Sequence, residues 1–432
     1  MAGIMKVVII TLGCKVNQYE SDALAETLIK KGYEVSCELG TADIYVLNTC
    51  AVTNEAERKS RQMISKFNRL NPSAKIFVCG CASQNNFKQF SELKNVQFIK
   101  GNANKLKLIE NLEVDKGENI EDLPEIYEKM FISSSKNKRA FVKIQDGCNK
   151  FCFYCIIPYV RGRSRSRDIE SIKSEVETLV KNGIKEIVLT GIDISDYKID
   201  GKPAIITLLK ELDKFNVRIR LSSFEVGLIT ESLVNELKEL KNFCPHFHLS
   251  MQSGSDGVLR RMNRHYTSSE FISAVNKIKK IFPDTAITTD VIVGFPGETD
   301  EEFNETVGTI NKIKFAYMHI FPFSRRSGTA VDKILNLKTN KDYFLVGSEI
   351  IKERSKILQK INKEMFENFN KQQIGKVFEV IIEELVDVYF IGHSKNYTKV
   401  YIKKDNDIDW TNEIVNVKVL SFYKNGVAGI II

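Results

Sequence analysis

Residues 145–155 read QDGCNKFCFYC and place Cys148, Cys152 and Cys155 on one short loop. The loop follows an apolar run at residues 140–145 that is typical of a buried strand. Three thiolates with the spacing C-x3-C-x2-C can hold three irons of a 4Fe-4S cluster and leave the fourth iron open to a small molecule. Structural zinc sites usually use C-x2-C pairs and four ligands, and no fourth Cys or His lies nearby in the sequence, so zinc is the weaker alternative.

Strand-like and helix-like runs alternate on both sides of this loop. From the loop onward, six strands are predicted at residues 140–145, 186–190, 217–222, 246–250, 286–294 and 316–321. Before it, strands at residues 5–11, 43–48 and 75–79 alternate with helices at 19–31 and 54–70. Alternating strands and helices build parallel sheets. The sequence therefore predicts a multidomain α/β protein with an N-terminal open parallel sheet and a central partial (β/α)6 barrel.

The remaining segments suggest how the chain divides into domains. Residues 104–137 are polar and acidic, and we expect a helix and a connector there that ends in a Ser133–Ser135 linker. A long charged helix is predicted at residues 342–370. Five short strands follow at residues 376–383, 388–391, 398–403, 413–420 and 426–432, which predicts a small β-barrel that binds nucleic acid or acts as a structural cap. The predicted domains are residues 1–132, 139–370 and 371–432.

A second group of cysteines lies in the N-terminal part. Cys14, Cys50 and Cys81 each fall just past the end of one of the first three predicted strands. Ligands in open parallel sheets gather outside the carboxyl ends of the strands, so these thiols can converge on a second cluster. The alternative is three unrelated buried thiols. Three further cysteines have no assigned role: Cys37, Cys79 and Cys244.

The positive charge of the chain is concentrated in one segment. Lys and Arg total 63 and Asp and Glu total 55, which gives a net charge of +8. Residues 136–167 hold nine bases and one acid, so the rest of the chain is neutral overall. Such a segment predicts anion binding, either of RNA phosphates or of the clusters themselves. The predicted RNA-binding residues are Arg161, Arg163, Arg165, Arg167 and, in a later segment, Arg326.

Composition indicates a folded protein of a reducing compartment. With 43% hydrophobic and 27% charged residues, the chain does not have the composition of a disordered protein. Nine cysteines, an odd number, and the absence of a secretory signal argue against a disulfide framework. No apolar run reaches ~18 residues, so a transmembrane helix is not expected. We therefore expect a cytoplasmic protein with no membrane association.

The central motif, with Tyr154 before its last cysteine, resembles that of the radical S-adenosylmethionine (SAM) superfamily. In that superfamily the open iron chelates SAM, and one electron from the cluster releases a 5′-deoxyadenosyl radical. Residues at successive strand ends are then candidate SAM contacts, although each could be an ordinary polar or apolar residue at a strand end. The set is Tyr154, Thr190, Gly191, Glu225, Gln252, Ser253, Asp290 and Ile292.

The whole chain resembles the radical SAM methylthiotransferase family, which combines two three-cysteine sites with a C-terminal TRAM domain. Residues 11–20 (TLGCKVNQYE), 145–167 and 252–267 are most similar to the branch, called MtaB, that acts on N6-threonylcarbamoyladenosine at position 37 of tRNA, next to the anticodon. The resemblance implies two 4Fe-4S clusters, with SAM as both methyl donor and radical source. It also implies methylthiolation at C2 of the adenine in the anticodon loop, a low-potential electron donor and a sulfur source.

Three other functions stay open at this point. The same chemistry could act on isopentenyladenosine in tRNA or on an aspartate of a ribosomal protein. A third alternative is a non-catalytic iron–sulfur protein that binds RNA or senses redox state. The candidate SAM contacts argue against this last function, because a sensor needs only a cluster.

Overall fold

The N-terminal part is one parallel sheet covered by helices. The computed structural model describes residues 4–112, 116–135, 138–337, 340–404 and 407–432. The strands are β1 (Lys6–Thr11), β2 (Glu34–Ser36), β3 (Ile44–Thr49), β4 (Lys75–Gly80), β5 (Val96–Lys100) and β6 (Gly117–Asn119). The helices are α1 (Lys15–Lys30), α2 (Asn54–Leu70), α3 (Cys81–Asn85) and α4 (Lys88–Ser91), with a 3-10 helix at Lys105–Asn111. The strand order is β2-β1-β3-β4-β5-β6, so the topology reverses direction between β1 and β3.

The sheet has three more strands than the sequence predicted. The edge strands β2 and β6 are three residues long and mostly polar, so they lack the apolar run by which a strand is recognised. The helix expected within residues 104–137 is only the 3-10 helix, and β6 follows it; residues 113–115 and 136–137 lie outside the described residues. The serine linker is held in place, because the Glu26 carboxylate accepts hydrogen bonds from the backbone N–H groups of Ser133 and Ser134.

The central part contains the six predicted strands in an open barrel, joined by short hairpin strands. The strands are β7 (Arg139–Lys143), β8 (Gln145–Asp146), β9 (Arg165–Ser166), β10 (Glu186–Thr190), β11 (Lys198–Ile199), β12 (Lys202–Pro203), β13 (Arg218–Leu221), β14 (His246–His248), β15 (Ala286–Val293) and β16 (Tyr317–Pro322). β7, β10 and β13 pair in parallel, as do β14, β15 and β16. Single bridges, Ile219 to Phe243 and Phe224 to Leu249, join the two halves. The predicted fold class is confirmed.

Helices cover the outside of this barrel. They are α5 (Ile157–Arg161), α6 (Ile169–Lys181), α7 (Ile205–Leu212), α8 (Glu231–Lys238), α9 (Asp256–Arg261), α10 (Ser268–Ile281), α11 (Asp300–Ile313), α12 (Ala330–Leu337) and α13 (Ser348–Lys371). Strand residues such as Val142, Ile187 and Leu189 pack outward into the apolar core under the helices. Because side chains alternate along a strand, their neighbours point into the barrel, where they can form a site. None of the described helices is long and apolar enough to span a bilayer.

A closed five-stranded β-barrel follows, as predicted. Its strands, in the order β17-β18-β19-β21-β20, are β17 (Val377–Val386), β18 (Tyr389–Ser394), β19 (Lys399–Lys403), β20 (Ile414–Tyr423) and β21 (Gly426–Ile431). This domain covers the end of the central barrel where the strands begin. Arg218, the first residue of β13, pairs with Glu379 at 2.9 Å, and the Tyr397 ring stacks on His246, the first residue of β14. The central cysteine loop lies toward the opposite end, where the strands finish.

Candidate active site

The three N-terminal cysteines meet where the sheet reverses its topology. Cys14 is the N-cap of α1 just after β1, Cys50 follows β3, and Cys81 opens α3 directly after β4. Gly13 has a φ of +107°, and a Cβ there would lie 2.8 Å from the Cβ of Cys50, so the first loop packs against the second. Burial, together with the neighbouring thiols of Cys81 and Cys14, raises the pKa of Cys50 to about 12. The structure therefore brings these three thiols together.

The other cysteines lie elsewhere. Cys79 is buried in the apolar core on one face of the sheet, whereas Cys81 belongs to the core on the other face. Cys244 is buried with its sulfur 3.9 Å from a carboxylate oxygen of Glu186, and Cys37 is exposed. None of these three joins a cysteine triplet.

The central cysteine loop depends on an unusual backbone conformation. Gly147 has a φ of +71°, and a Cβ there would lie 1.9 Å from the carbonyl oxygen of Arg163. Phe151, between the first two cysteines, also has a positive φ of +50°. Only glycine fits the first position without moving the opposite backbone, so Gly147 fixes the point at which the loop leaves the barrel.

Hydrogen-bond donors approach two of the thiols in this loop. The backbone N–H of Lys150 donates to Cys148 Sγ at 3.4 Å, and Arg264 Nη1 donates to Cys152 Sγ at 3.4 Å. Burial raises the pKa of Cys148 and of Cys155 to about 12, so without a cation these thiols keep their protons. A bound iron ion would deprotonate them, and the donors described here would then stabilise the thiolates.

One short helix joins the two cysteine triplets. α5 begins two residues after Cys155 and ends at Arg161, whose Nε donates to Cys81 Sγ at 3.3 Å. Five helical residues span only about 7 Å. The two triplets therefore lie near the two ends of one short helix.

A network of buried charges surrounds this helix. Arg161 contacts Glu20 at 2.9 Å and Asp146 at 3.1 Å, and Lys143 contacts the same two carboxylates, each at 2.9 Å. Arg165 adds a contact to Asp146 at 3.2 Å. The six side chains are at most 6% exposed: Glu20, Lys105, Lys143, Asp146, Arg161 and Arg165.

This network contains four cations and only two carboxylates. A buried excess of positive charge is costly unless an anion lies beside it. Cys81 touches the network through Arg161, and a cluster held by three thiolates is an anion. The residues around the N-terminal triplet therefore fit such a cluster.

Four of the five arginines that were predicted to bind RNA are buried in the protein. Arg161 and Arg165 belong to the buried network, and Arg167 is buried against Glu175 and the Tyr19 hydroxyl. Arg326 is buried and pairs with Glu57 of the N-terminal part. Carboxylates pair with all four of these arginines, so their side chains are not exposed to RNA in this structure, and their RNA contacts stay a prediction. Arg163 is the exception, since it is exposed and lies over the Phe151 ring at 4.5 Å.

Three candidate SAM contacts lie beside the central loop. The Tyr154 ring is packed edge-on against Phe295 at 6.3 Å. Thr190 ends β10, and a Cβ on Gly191 would lie 2.9 Å from Gln145 Oε1. That oxygen accepts two backbone hydrogen bonds from the turn after Gly191, and the Gln145 amide nitrogen donates to the Gly147 carbonyl. Gln145, which the sequence did not single out, thus ties the cluster loop to the next strand end.

The acidic candidate lies in an ion-pair chain. Glu225 pairs with Lys150 and with Arg264, each at 2.9 Å, so it is linked through Arg264 to the Cys152 thiol. Ser253 differs, because its buried hydroxyl lies 3.1 Å from the Thr306 hydroxyl of α11 and serves the packing of that helix. Gln252 has a φ of +63° and bonds through its backbone to Asp290 and Ile292 of β15.

Lys15 of the N-terminal part interacts electrostatically with charged residues of the barrel, including Asp290. Lys15 has surface exposed to solvent. Many protein atoms nevertheless lie around its side chain, and the resulting desolvation lowers its pKa to about 8. Arg220 and Arg139 lower that pKa further, whereas Glu186 and Asp290 oppose them. All four lie on barrel strands, so Lys15 of the N-terminal part lies close to the barrel.

Comparison with known proteins agrees with this architecture. Residues 142–310 match the radical SAM superfamily, and residues 6–101 match the uncharacterized protein family UPF0004. A threonylcarbamoyladenosine tRNA methylthiotransferase, MtaB, of Bacillus subtilis is 38% identical over 95% of this chain and 92% of its own length. The chain belongs to the radical SAM methylthiotransferase family. A second relative, a tRNA-2-methylthio-N(6)-dimethylallyladenosine synthase of Caldicellulosiruptor saccharolyticus, is 34% identical over 98% of this chain and 92% of its own length.

A solved structure shares the fold of this methylthiotransferase. The radical SAM methyltransferase TsrM of Kitasatospora setae aligns with a TM-score of 0.52, covering 73% of each chain. At 15% identity the similarity concerns the fold alone. The radical SAM match also implies SAM and a 4Fe-4S cluster as cofactors.

Proposed function

We propose that this enzyme methylthiolates C2 of N6-threonylcarbamoyladenosine at position 37 of tRNA, with SAM as methyl donor and radical source. One observation supports the two-site chemistry most directly: α5 begins two residues after Cys155 and ends at Arg161, whose Nε donates a hydrogen bond to Cys81 Sγ. The relative named for this nucleoside is 38% identical, compared with 34% for the one named for dimethylallyladenosine. The dimethylallyl or ribosomal substrates and a non-catalytic sensor are therefore the weaker alternatives.

Cys148, Cys152 and Cys155 would hold the cluster of the central site. A 4Fe-4S cluster bound there supplies the electron that cleaves SAM and so starts the radical chemistry. Arg264 would stabilise the Cys152 thiolate, and it is itself oriented by Glu225. The other strand-end candidates, including Thr190, Gly191 and Ile292, would line the SAM pocket around the loop.

The second cluster would be held by Cys14, Cys50 and Cys81. The excess of buried positive charge beside Cys81 supports it, because an anion at this place balances the network. A cluster held by these residues would supply the sulfur chemistry of the reaction. The reaction also needs a low-potential electron donor and a sulfur source.

The tRNA would be bound partly by the C-terminal domain. Tyr389 and Tyr423 are partly exposed and pack against the buried Tyr401, and the Lys424 ammonium lies 5.4–5.9 Å from all three ring centres. Aromatic rings beside a cation can stack on bases and attract phosphates. This patch, rather than the buried arginines, is the RNA surface that we propose. The enzyme would act in the cytoplasm, with domains at residues 1–132, 139–370 and 371–432.

The test is a reconstituted reaction. The enzyme is loaded anaerobically with iron and sulfide and mixed with SAM, dithionite and tRNA carrying N6-threonylcarbamoyladenosine, and its nucleosides are then analysed by mass spectrometry. We expect the methylthio product with wild-type enzyme. Cys81→Ala should abolish that product and leave some 5′-deoxyadenosine formation.

The matched control is Cys79→Ala, which removes a buried thiol two residues away that belongs to neither triplet. It should retain both products. Full methylthiolation by Cys81→Ala would contradict the second cluster. Absence of 5′-deoxyadenosine from loaded wild-type enzyme would contradict the radical mechanism itself.

A further inference from the structure

Three polar side chains meet inside the barrel on neighbouring strands. His248 of β14, Asp290 of β15 and His319 of β16 place their ligand atoms within 4.8 Å of one another. His248 Nε2 lies 3.2 Å from Asp290 Oδ2, and its Nδ1 lies 3.0 Å from the Thr288 hydroxyl. His319 is exposed to solvent and so is accessible to a bound molecule. Neither cysteine triplet includes these residues.

A lysine from the N-terminal part lies near this group. Lys15 follows Cys14 directly, and its charge interacts with Asp290 and His319. Within the part of the chain that the structure describes, the Lys15 ammonium has no ion-pair partner within 4.0 Å. The ammonium is therefore available to an anion that enters the barrel beside the N-terminal cysteines.

The charges decide which ligand this group suits. Two histidines and a carboxylate are a possible metal site. However, Arg139 pairs with Glu186 and Glu383 and Arg220 pairs with Glu186, whereas Lys15 has no carboxylate of the described residues within ion-pair distance. The unpaired Lys15 ammonium disfavours a divalent cation beside this group and suits a ligand that carries one negative charge.

We propose that Lys15 and the group His248, Asp290 and His319 form the receptor for the threonylcarbamoyl side chain of the substrate adenosine. This inference rests on the proposed function. Lys15 binds the carboxylate, and Asp290 with His319 bonds the hydroxyl and urea groups. A dimethylallyl side chain is apolar and uncharged, so it would leave these polar groups without partners, which is a strong basis for rejection.

The experiment measures binding of anticodon stem-loops by the cluster-loaded enzyme, without turnover. One RNA carries N6-threonylcarbamoyladenosine, and the other carries its methyl ester, which lacks the negative charge. Wild type should bind the acid about 10- to 100-fold more tightly than the ester, as expected for a charge-assisted contact. Lys15→Met should bind both equally and should raise KM far more than it lowers kcat.

The matched control is Lys30→Met, at the exposed far end of the same helix, which should keep the wild-type preference. Iron content is measured in each variant, and Lys15→Met should retain that of wild type. A second variant, His319→Phe, should weaken binding of the acid while keeping the preference over the ester.

Two results would overturn the receptor. One is an equal preference for the acid in Lys15→Met and wild type. The other is stoichiometric Zn²⁺ uptake by wild type that His319→Phe abolishes. Failure of the proposed function looks different, because wild-type enzyme would then give no methylthio product while the binding preference is still measurable.

Discussion

Arg161 gives the sharpest test of how this enzyme holds its N-terminal cluster. Its Nε lies 3.3 Å from Cys81 Sγ, and its two terminal nitrogens bond Glu20, Asp146 and Asn17. Arg161→Met removes the positive charge from beside the sulfur while roughly keeping the volume of the side chain. The two carboxylates keep three cationic partners, so we expect the fold to survive.

The size of the effect follows from the distance. Two unit charges 3.3 Å apart attract by roughly 5 kcal/mol at an effective dielectric constant of ~20. The substitution also relieves repulsion among the four cations of the network, which offsets part of that loss. We expect a net cost of about 3 kcal/mol, and hence roughly hundredfold weaker retention of the cluster.

The assay isolates the N-terminal site. In a background with Cys148, Cys152 and Cys155 changed to Ala, only the N-terminal triplet can bind iron, and retention is measured against increasing chelator. The matched control is Arg163→Met, which removes an exposed arginine of the same segment that lies over Phe151. Equal iron retention in Arg161→Met and in the control would refute the electrostatic reasoning.

Three further predictions concern other parts of the molecule. Gly147→Ala should abolish iron binding at the central loop and 5′-deoxyadenosine formation, because its Cβ would meet the Arg163 carbonyl at 1.9 Å; Gly227→Ala, with no atom within 4 Å, should change neither. Burial would raise the pKa of Glu186, but adjacent arginines lower it from 4.5 to about 2, so about 3 kcal/mol of stability is present above pH 4.5 and is lost as the pH falls toward 2. The urea midpoint of Glu186→Gln should therefore vary less than that of wild type between pH 5 and pH 3. Tyr423→Ala should weaken tRNA binding about tenfold, measured by filter binding, without changing SAM cleavage. An unchanged affinity would show that this ring is not part of the RNA-binding surface.

Local patterns made much of the site predictable. Cys148, Cys152 and Cys155 lie within eight residues of the sequence, so one loop holds the three thiols close together. Cys14, Cys50 and Cys81 were predicted to converge because each follows a strand of one parallel sheet, and the structure brings them together. The short edge strands were missed because they have no apolar run.

The electrostatic partners of the arginines could not be predicted from the sequence. The alternating arginines at 161–167 are what an RNA-binding segment looks like when its environment is unknown. Glu20, which pairs with Arg161, is 141 residues away, and Glu57, which pairs with Arg326, is 269 residues away. Glu20 lies in the segment TLGCKVNQYE, where an acid on an otherwise buried helix face was the only local sign of its role.

The sequence by itself determined the family, the order of the domains and the six cysteines, because periodicity and short spacings encode these over about ten residues. Only the tertiary structure decided which charged side chains are exposed to water and which form buried ion pairs. It buried Arg161 beside Cys81 and brought Lys15 close to Asp290 and His319. The physical reason is that the strength of a charge interaction depends on distance and burial, and both are properties of the packed chain.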